Sequence, residues 1–134
     1  MINLQIIDNT DQIKLALLEA EVNLSIYNDE VQALIAVEKI QPSIIFLSYN
    51  VRKEETVEYI KLLLKASEDS KIVVIADELN EEKIVNCLIA GAKGYQDVKQ
   101  LQVYAKKLII MVDAGEAWIT RRMVAILLDT LIKQ

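Results

Sequence analysis

The chain has 134 residues, of which 53% are apolar, and a formal net charge of −5. This is one domain's worth of sequence, with enough apolar content for a sizeable core. The acidic balance argues against sequence-independent binding to nucleic acid, because neutralising phosphates requires clustered Lys and Arg. Histidine is absent, which excludes Ser-His and Cys-His nucleophile pairs, imidazole metal ligands and phosphohistidine chemistry within this chain.

Three further features bear on the compartment. The single cysteine, Cys87, cannot form an internal disulfide and fits a reducing environment. No apolar run approaches the roughly 18 residues needed to cross a bilayer. The first residues lack the basic and apolar regions of a signal peptide. We therefore expect a cytoplasmic protein with no membrane span.

Short apolar runs alternate with stretches of helical period from the first residues onward. The first predicted strand ends at Asp8, and residues 9–11 cap a helix whose apolar side chains recur at helical spacing from Ile13 to Ala20. The second strand covers 22–27. The helix after it starts at 28–30 and is bounded by Pro42. This part of the chain therefore predicts two strand–helix units.

The same alternation continues through three further units. The run 72–75 is continuously apolar, as in a strand covered on both faces, and Gly91 lies where a left-handed helix C-cap belongs. The predicted elements are strand 43–48, a polar loop and a helix over about 55–67, strand 71–76, a helix capped by 80–82, a brief strand 94–97, and a long helix over about 99–114.

Five successive strand–helix units predict a parallel sheet with helices on both faces, since each right-handed crossover contains its helix. We predict an α/β fold: a flavodoxin-like, doubly wound, five-stranded parallel sheet of order 2-1-3-4-5, with an extra C-terminal helix. In this order the ligand crevice lies beyond the carboxyl ends of strands one and three. The side chains expected there are Asp8, Asn9, Ser48, Ala76 and those following Tyr95.

Four stretches of the chain form a distinctive set: 4–9, 42–50, 71–75 and 90–95, the last of which is Ala-Gly-Ala-Lys-Gly-Tyr. Together with Ala-Gly-Glu-Ala-Trp-Ile-Thr at 114–120, they make essentially the whole chain resemble the receiver domains of NarL/LuxR-type response regulators. The resemblance implies a receiver-like domain over residues 1–114. It also implies a linker or extra helix over 115–134, which in the family leads to a helix-turn-helix domain.

The sequence departs from the family where receivers keep their chemistry. There, an acidic pair holds Mg²⁺, an aspartate accepts the phosphoryl group, a hydroxyl residue and a lysine contact it, and an aromatic residue switches. The resemblance places these roles, in that order, at Asp8 with Asn9, Ser48, Ala76, Val98 and Tyr95. It therefore implies a degenerate phosphorylation site without a catalytic residue, and a switch-like aromatic at Tyr95.

The substitutions can be weighed chemically. Mg²⁺ needs near-octahedral oxygen ligands, usually with one or two carboxylates, so Asp8 beside an amide is a weak, unoccupied metal ligand or else a helix-capping acid. Ser48 has no base to activate it and is expected to bond to backbone. We expect no cofactor, no Mg²⁺ binding and no phosphorylation switch. Tyr95 is then a static, half-buried aromatic, and Cys87 is a core residue.

Two hypotheses for function follow. The first is an atypical receiver, or pseudo-receiver, that is not an enzyme and acts in two-component-type signal transduction and transcription regulation through protein–protein contacts. Its partners are a second copy, other signalling proteins, and DNA only through a C-terminal domain absent from this chain. The alternative is a stand-alone flavodoxin-like domain that binds a small ligand at the strand ends. The first loop lacks the glycines of a dinucleotide site.

A second apolar stripe on the fourth and fifth predicted helices indicates a partner surface. Val85 and Ile89 lie four residues apart beside the expected core positions, and Val103 and Ile110 lie seven apart. Contacts with flanking core residues are the competing explanation. We expect constitutive homodimerisation through the face made by the fourth helix, fifth strand and fifth helix.

Overall fold

Five parallel strands form the centre of the molecule, in a computed structural model that describes residues 1–133. Gln134, the last residue of the predicted 115–134 segment, lies outside the described residues. The order β2-β1-β3-β4-β5 confirms the predicted flavodoxin-like α/β fold. The strands are β1 (Ile2–Ile7), β2 (Val22–Tyr27), β3 (Ile44–Ser48), β4 (Lys71–Ala76) and β5 (Gly94–Asp97).

Seven α-helices within residues 1–133 surround or extend this sheet. They are α1 (Gln12–Ala16), α2 (Glu30–Ile40), α3 (Tyr49–Arg52), α4 (Thr56–Ala66), α5 (Glu81–Ile89), α6 (Leu101–Asp113) and α7 (Arg121–Ile132). Short 3₁₀ turns, Lys53–Glu55 and Val98–Gln100, precede α4 and α6. The loop predicted after the third strand contains α3, because the Ser48 hydroxyl accepts the Asn50 N–H and caps a single turn.

The two faces of the sheet bury separate apolar clusters. On one face, Ile6 and Phe46 pack with Leu108 beneath α1 and α6. On the other, Ile7 and Leu47 pack beneath α2, α4 and α5. Alternate strand residues thus serve opposite clusters, which explains the continuous apolar runs in β3 and β4.

The segment after α6 returns to the sheet and covers the free edge of β5. The Tyr95 N–H donates to the Trp118 carbonyl at 3.1 Å, and the Trp118 N–H donates to the Lys93 carbonyl at 2.9 Å. Helix α7 then packs against α5, where Met123 contacts the cluster that contains Val85. Within residues 1–133, no helix combines the length and apolar character needed to cross a bilayer.

Candidate functional site at the carboxyl edge of the sheet

The fold brings the predicted site residues to one edge. In the parallel register, Ile7 pairs with Leu47, Ser48 with Ile75, and Ala76 with Asp97. Asp8, Ser48, Ala76 and Val98 therefore lie at or just beyond the carboxyl ends of neighbouring strands. The Asn9 side-chain amide reaches across to the Asn50 carbonyl at 3.3 Å. The side-chain chemistry at this edge decides what it can bind.

Asp8 is 2% exposed, and its carboxylate is fully engaged within the chain. One oxygen accepts the Thr10 N–H at 3.0 Å, and the other accepts the Ile13 N–H at 3.3 Å. The Thr10 hydroxyl lies 3.0 and 3.1 Å from the two oxygens. Of these donors, the Ile13 N–H lies in the first turn of α1, which leaves it without a helical partner. Asp8 thus stabilises the β1–α1 loop and the first turn of α1.

Ser48, Ala76 and Val98, the residues that the sequence resemblance places at this edge, offer neither a carboxylate nor an amine. Ser48 is buried, and its hydroxyl caps α3. Ala76 offers only a methyl group. Val98 packs against the α1–α6 side of the core. The nearby cation, Lys99, is held by carboxylates of the β4–α5 loop, Asp77 at 3.2 Å and Glu78 at 3.3 Å.

Tyr95 reaches from β5 to the loop that follows β4. Its hydroxyl donates to the Ala76 carbonyl at 3.3 Å and accepts the Leu79 N–H at 3.4 Å. Burial raises the pKa of this hydroxyl. The side chain is half-buried and packs between the sheet, α5 and α7, so it fills the space beside Ala76.

Asp97 is among the residues after Tyr95 that were expected at this edge, but the sequence assigned it no role. Its carboxylate accepts the Lys99 N–H at 2.9 Å and the Glu78 N–H at 3.2 Å, joining the loops after β4 and β5. An aspartate directly before a short 3₁₀ turn is a recognisable capping signal. The hydrogen bond from the Glu78 N–H to Asp97 joins residues 19 apart in the chain, so no local sequence pattern predicts it.

The residues present do not fit Mg²⁺. Both Asp8 oxygens already accept protein donors, Asn9 presents an amide, and residues 1–133 hold no group of three carboxylate or thiol ligands suited to a metal. A cleft of about 440 Å³ does exist, lined by Asp8, Asp11 and Asp29 among others. It lies between the ends of β1 and β2, whereas the sequence predicted a crevice between strands one and three.

The predicted partner residues separate into two groups. Val85 is only 3% exposed because Met123 of α7 covers it, so the prediction that it faces a partner is wrong. The fourth-helix and fifth-strand face expected to dimerise is occupied by the chain's own C-terminal segment. Ile89, Val103 and Ile110 are exposed. The last two lie on α6, away from α7.

Cys87 belongs to the core beneath α5, as predicted. Burial raises the pKa of its thiol to about 11, which at pH 8 lowers the thiolate fraction roughly 100-fold relative to an exposed thiol. We expect a disulfide reagent at pH 8 to label the folded protein at least that much more slowly than the urea-unfolded protein. The increase in absorbance with time after mixing gives the labelling rate, and equal rates for the folded and unfolded protein would contradict the buried placement of Cys87.

Three solved structures, of a response regulator and of two receiver domains, superpose on most of the chain. The isolated REC domain of RcsB from Salmonella enterica serovar Typhimurium has a TM-score of 0.82 and 16% identity, covering 96% of this chain and 99% of that one. A LuxR-family two-component response regulator from Aurantimonas sp. SI85-9A1 has a TM-score of 0.78 and 12% identity, covering 98% and 99%. The receiver domain of NarL from Mycobacterium tuberculosis has a TM-score of 0.74 and 16% identity, covering 86% and 98%.

No family model and no curated protein sequence matches the chain. At these low identities, the structural similarity is evidence for the fold alone. It covers the five-stranded sheet and its helices. The chain therefore has the fold of response-regulator receiver domains.

Proposed function

We propose that this chain is an atypical receiver, or pseudo-receiver, that works in two-component-type signal transduction and transcription regulation without phosphorylation of an aspartate. It is cytoplasmic, is not an enzyme, and acts through contacts with other proteins. One observation carries the proposal. The receiver fold spans almost the whole chain, while the edge that would hold the phosphoryl group presents Ser48, Ala76 and Val98.

The chemistry of that edge supports the proposal. An acyl phosphate needs a carboxylate nucleophile, and Ser48 has no neighbouring base. A phosphoryl group there would add two negative charges to an edge that already holds buried Asp8. Lys99, the cation next to Val98, is already paired with Asp77 and Glu78. Unpaired charge in a partly buried site is strongly unfavourable.

The domain division belongs to the same proposal. Residues 1–114 act as the receiver-like unit, and 115–134 act as a linker or extra helix. The second segment packs back onto the first through Trp118 and α7. Any contact with DNA would be made by a separate DNA-binding domain, and residues 1–134 contribute signalling contacts.

Treatment with acetyl phosphate and Mg²⁺ is expected to leave the intact mass unchanged, and beryllofluoride with Mg²⁺ is expected to leave Trp118 fluorescence unchanged. Ser48→Asp alone should behave in the same way. The quadruple variant Asn9→Asp/Ser48→Asp/Ala76→Thr/Val98→Lys is the matched positive control, because it supplies the second carboxylate of the metal pair as well as the acceptor, the hydroxyl and the amine. A mass increase at Ser48 in the unsubstituted chain would overturn the proposal.

The cleft beside β1 and β2 supports a second candidate, a domain that binds a small ligand at the strand ends. Its two exposed carboxylates, from Asp11 and Asp29, favour a cationic ligand and disfavour phosphates. A panel of small amines and anionic nucleotides in a thermal-shift assay separates the candidates. Saturable stabilisation by an amine, lost in Asp29→Asn, would support this alternative.

A further inference from the structure

The segment that follows α6 encloses a second cleft against β5 and α6. This cleft has a volume of about 570 Å³, larger than the 440 Å³ of the cleft beside β1 and β2 and within the range of small-molecule sites. Its walls are the edge strand β5, one side of α6, and residues 117–120. It shares Tyr95 and Asp97 with the carboxyl edge of the sheet, but its other residues have no role in the proposed function.

Two aromatic rings line this second cleft. Helix α6 contributes Tyr104, Lys107 and Met111 at the spacing of one helix face. The Tyr104 ring is 44% exposed, and its centroid lies 6.3 Å from that of Trp118 with the planes inclined by 56°. Trp118 is held in place, because its indole N–H donates to the Gln96 side chain at 2.9 Å and its backbone pairs with β5. The two rings therefore form a preformed apolar wall that suits a flat aromatic ligand.

The charges of the second cleft favour an anion. Lys107 is the one cation that lines it, and among residues 1–133 this side chain takes part in no ion pair. Asp97 is the one carboxylate that lines it, and its oxygens already accept the N–H groups of Glu78 and Lys99. A carboxylate on the ligand would give the Lys107 ammonium a charge-assisted hydrogen bond that the chain itself does not supply.

We propose that the second cleft binds a small aromatic carboxylate, with the ring of the ligand against Tyr104 and Trp118 and its carboxylate at Lys107. The inference goes beyond the proposed function and does not rest on it. A ligand in this position contacts β5 and α6 on one side and residues 117–120 on the other. Its binding therefore stabilises the docked position of the C-terminal segment by mass action.

The probe is 2-naphthoate, and 2-naphthamide is its neutral counterpart of the same shape. Because the chain has one tryptophan, the Trp118 indole N–H gives a single, assignable signal in a ¹⁵N–¹H NMR spectrum of the full chain. We expect 2-naphthoate to shift this signal saturably with a Kd below about 1 mM. The amide should bind at least about threefold more weakly, as expected for a partly exposed ion pair. An indole signal that millimolar 2-naphthoate does not shift would overturn the inference.

Two variants separate the roles of charge and ring. Lys107→Gln should weaken binding of 2-naphthoate at least about threefold and leave binding of 2-naphthamide unchanged, whereas Tyr104→Ala should weaken both. Lys106→Gln is the matched control, because Lys106 is also an exposed α6 lysine but lines the clefts on the α1 side, so both affinities should stay the same.

Binding of 2-naphthoate that is indifferent to Lys107→Gln would overturn the inference, as would an equal loss in Lys106→Gln. The acetyl phosphate experiment has a different readout, so a chain that binds no 2-naphthoate and forms no phospho-adduct would overturn this inference alone and leave the proposed function standing.

Discussion

Gly94→Val is expected to release the C-terminal segment from the sheet and to lower the free energy of unfolding by about 2–3 kcal/mol. A Cβ atom at Gly94 would lie 2.8 Å from the Trp118 Cβ and 3.0 Å from its carbonyl carbon, distances that real side chains do not adopt. The obstacle is the backbone of the segment that pairs with β5, so it cannot be relieved by a rotamer change. The segment must move, and the two hydrogen bonds across the bridge are lost.

Trp118 reports this release directly, because it is the only tryptophan. Its indole N–H donates to the Gln96 side chain at 2.9 Å, and its ring lies 6.3 Å from that of Tyr104. Release should shift its emission to longer wavelength and lower the urea midpoint. Gly115→Ala is the control. Gly115 has a φ of +95° with nothing within 4 Å of an added Cβ. Gly115→Ala should therefore lower the free energy of unfolding by about 1 kcal/mol through backbone strain and leave the emission of Trp118 unchanged. Unchanged emission in Gly94→Val would contradict the bridge.

Sequence periodicity predicts helix α7 but does not predict the surface that α7 covers. The pattern of 121–133 predicts an amphipathic helix, and one forms at Arg121–Ile132. Which surface that helix covers depends on Trp118 entering the β5 edge, a contact between segments more than twenty residues apart. Val85 therefore looks like a spare apolar residue in sequence and is buried in the fold.

The sheet was predictable because its signals are local. The apolar run 72–75 lies within β4, and Asn80 caps α5 by accepting the Lys83 N–H at 2.9 Å. Gly91 has the positive φ of a helix C-cap. The structure differs from the sequence prediction in two helices. Helix α3 was not predicted because a single side-chain hydrogen bond caps it, and α1 ends at Ala16, earlier than its apolar pattern indicates.

The candidate site divides in the same way. Parallel strands meet at one edge, so strand ends in the sequence were enough to gather Asp8, Ser48 and Ala76. Hydrogen-bond partners at that edge were not predictable, because they depend on loop conformation. Two such hydrogen bonds are the one that the Tyr95 hydroxyl donates to the Ala76 carbonyl and the one that the Glu78 N–H donates to the Asp97 carboxylate.

Asp8→Ala is expected to lower the free energy of unfolding by about 3 kcal/mol. The carboxylate accepts the N–H groups of Thr10 and Ile13 and the Thr10 hydroxyl, while almost wholly buried. Hydrogen bonds to a charged group are worth about 1.5–3 kcal/mol each, and removing a shared acceptor leaves the donors of one loop unsatisfied together. Asp8→Asn should give an intermediate loss, because one acceptor oxygen becomes a donor. Urea unfolding followed by circular dichroism measures both variants.

Asp29→Ala provides the matched comparison, because Asp29 is the exposed cap of α2 and accepts only the Gln32 N–H, at 3.0 Å. Its loss should cost about 1 kcal/mol. Repeating the series in millimolar Mg²⁺ separates capping from metal binding, since a bound ion stabilises the folded state by mass action. A structural Asp8 gives the same midpoints with and without Mg²⁺. An unsubstituted chain stabilised by Mg²⁺, with the gain abolished in Asp8→Asn, would instead make Asp8 a metal ligand.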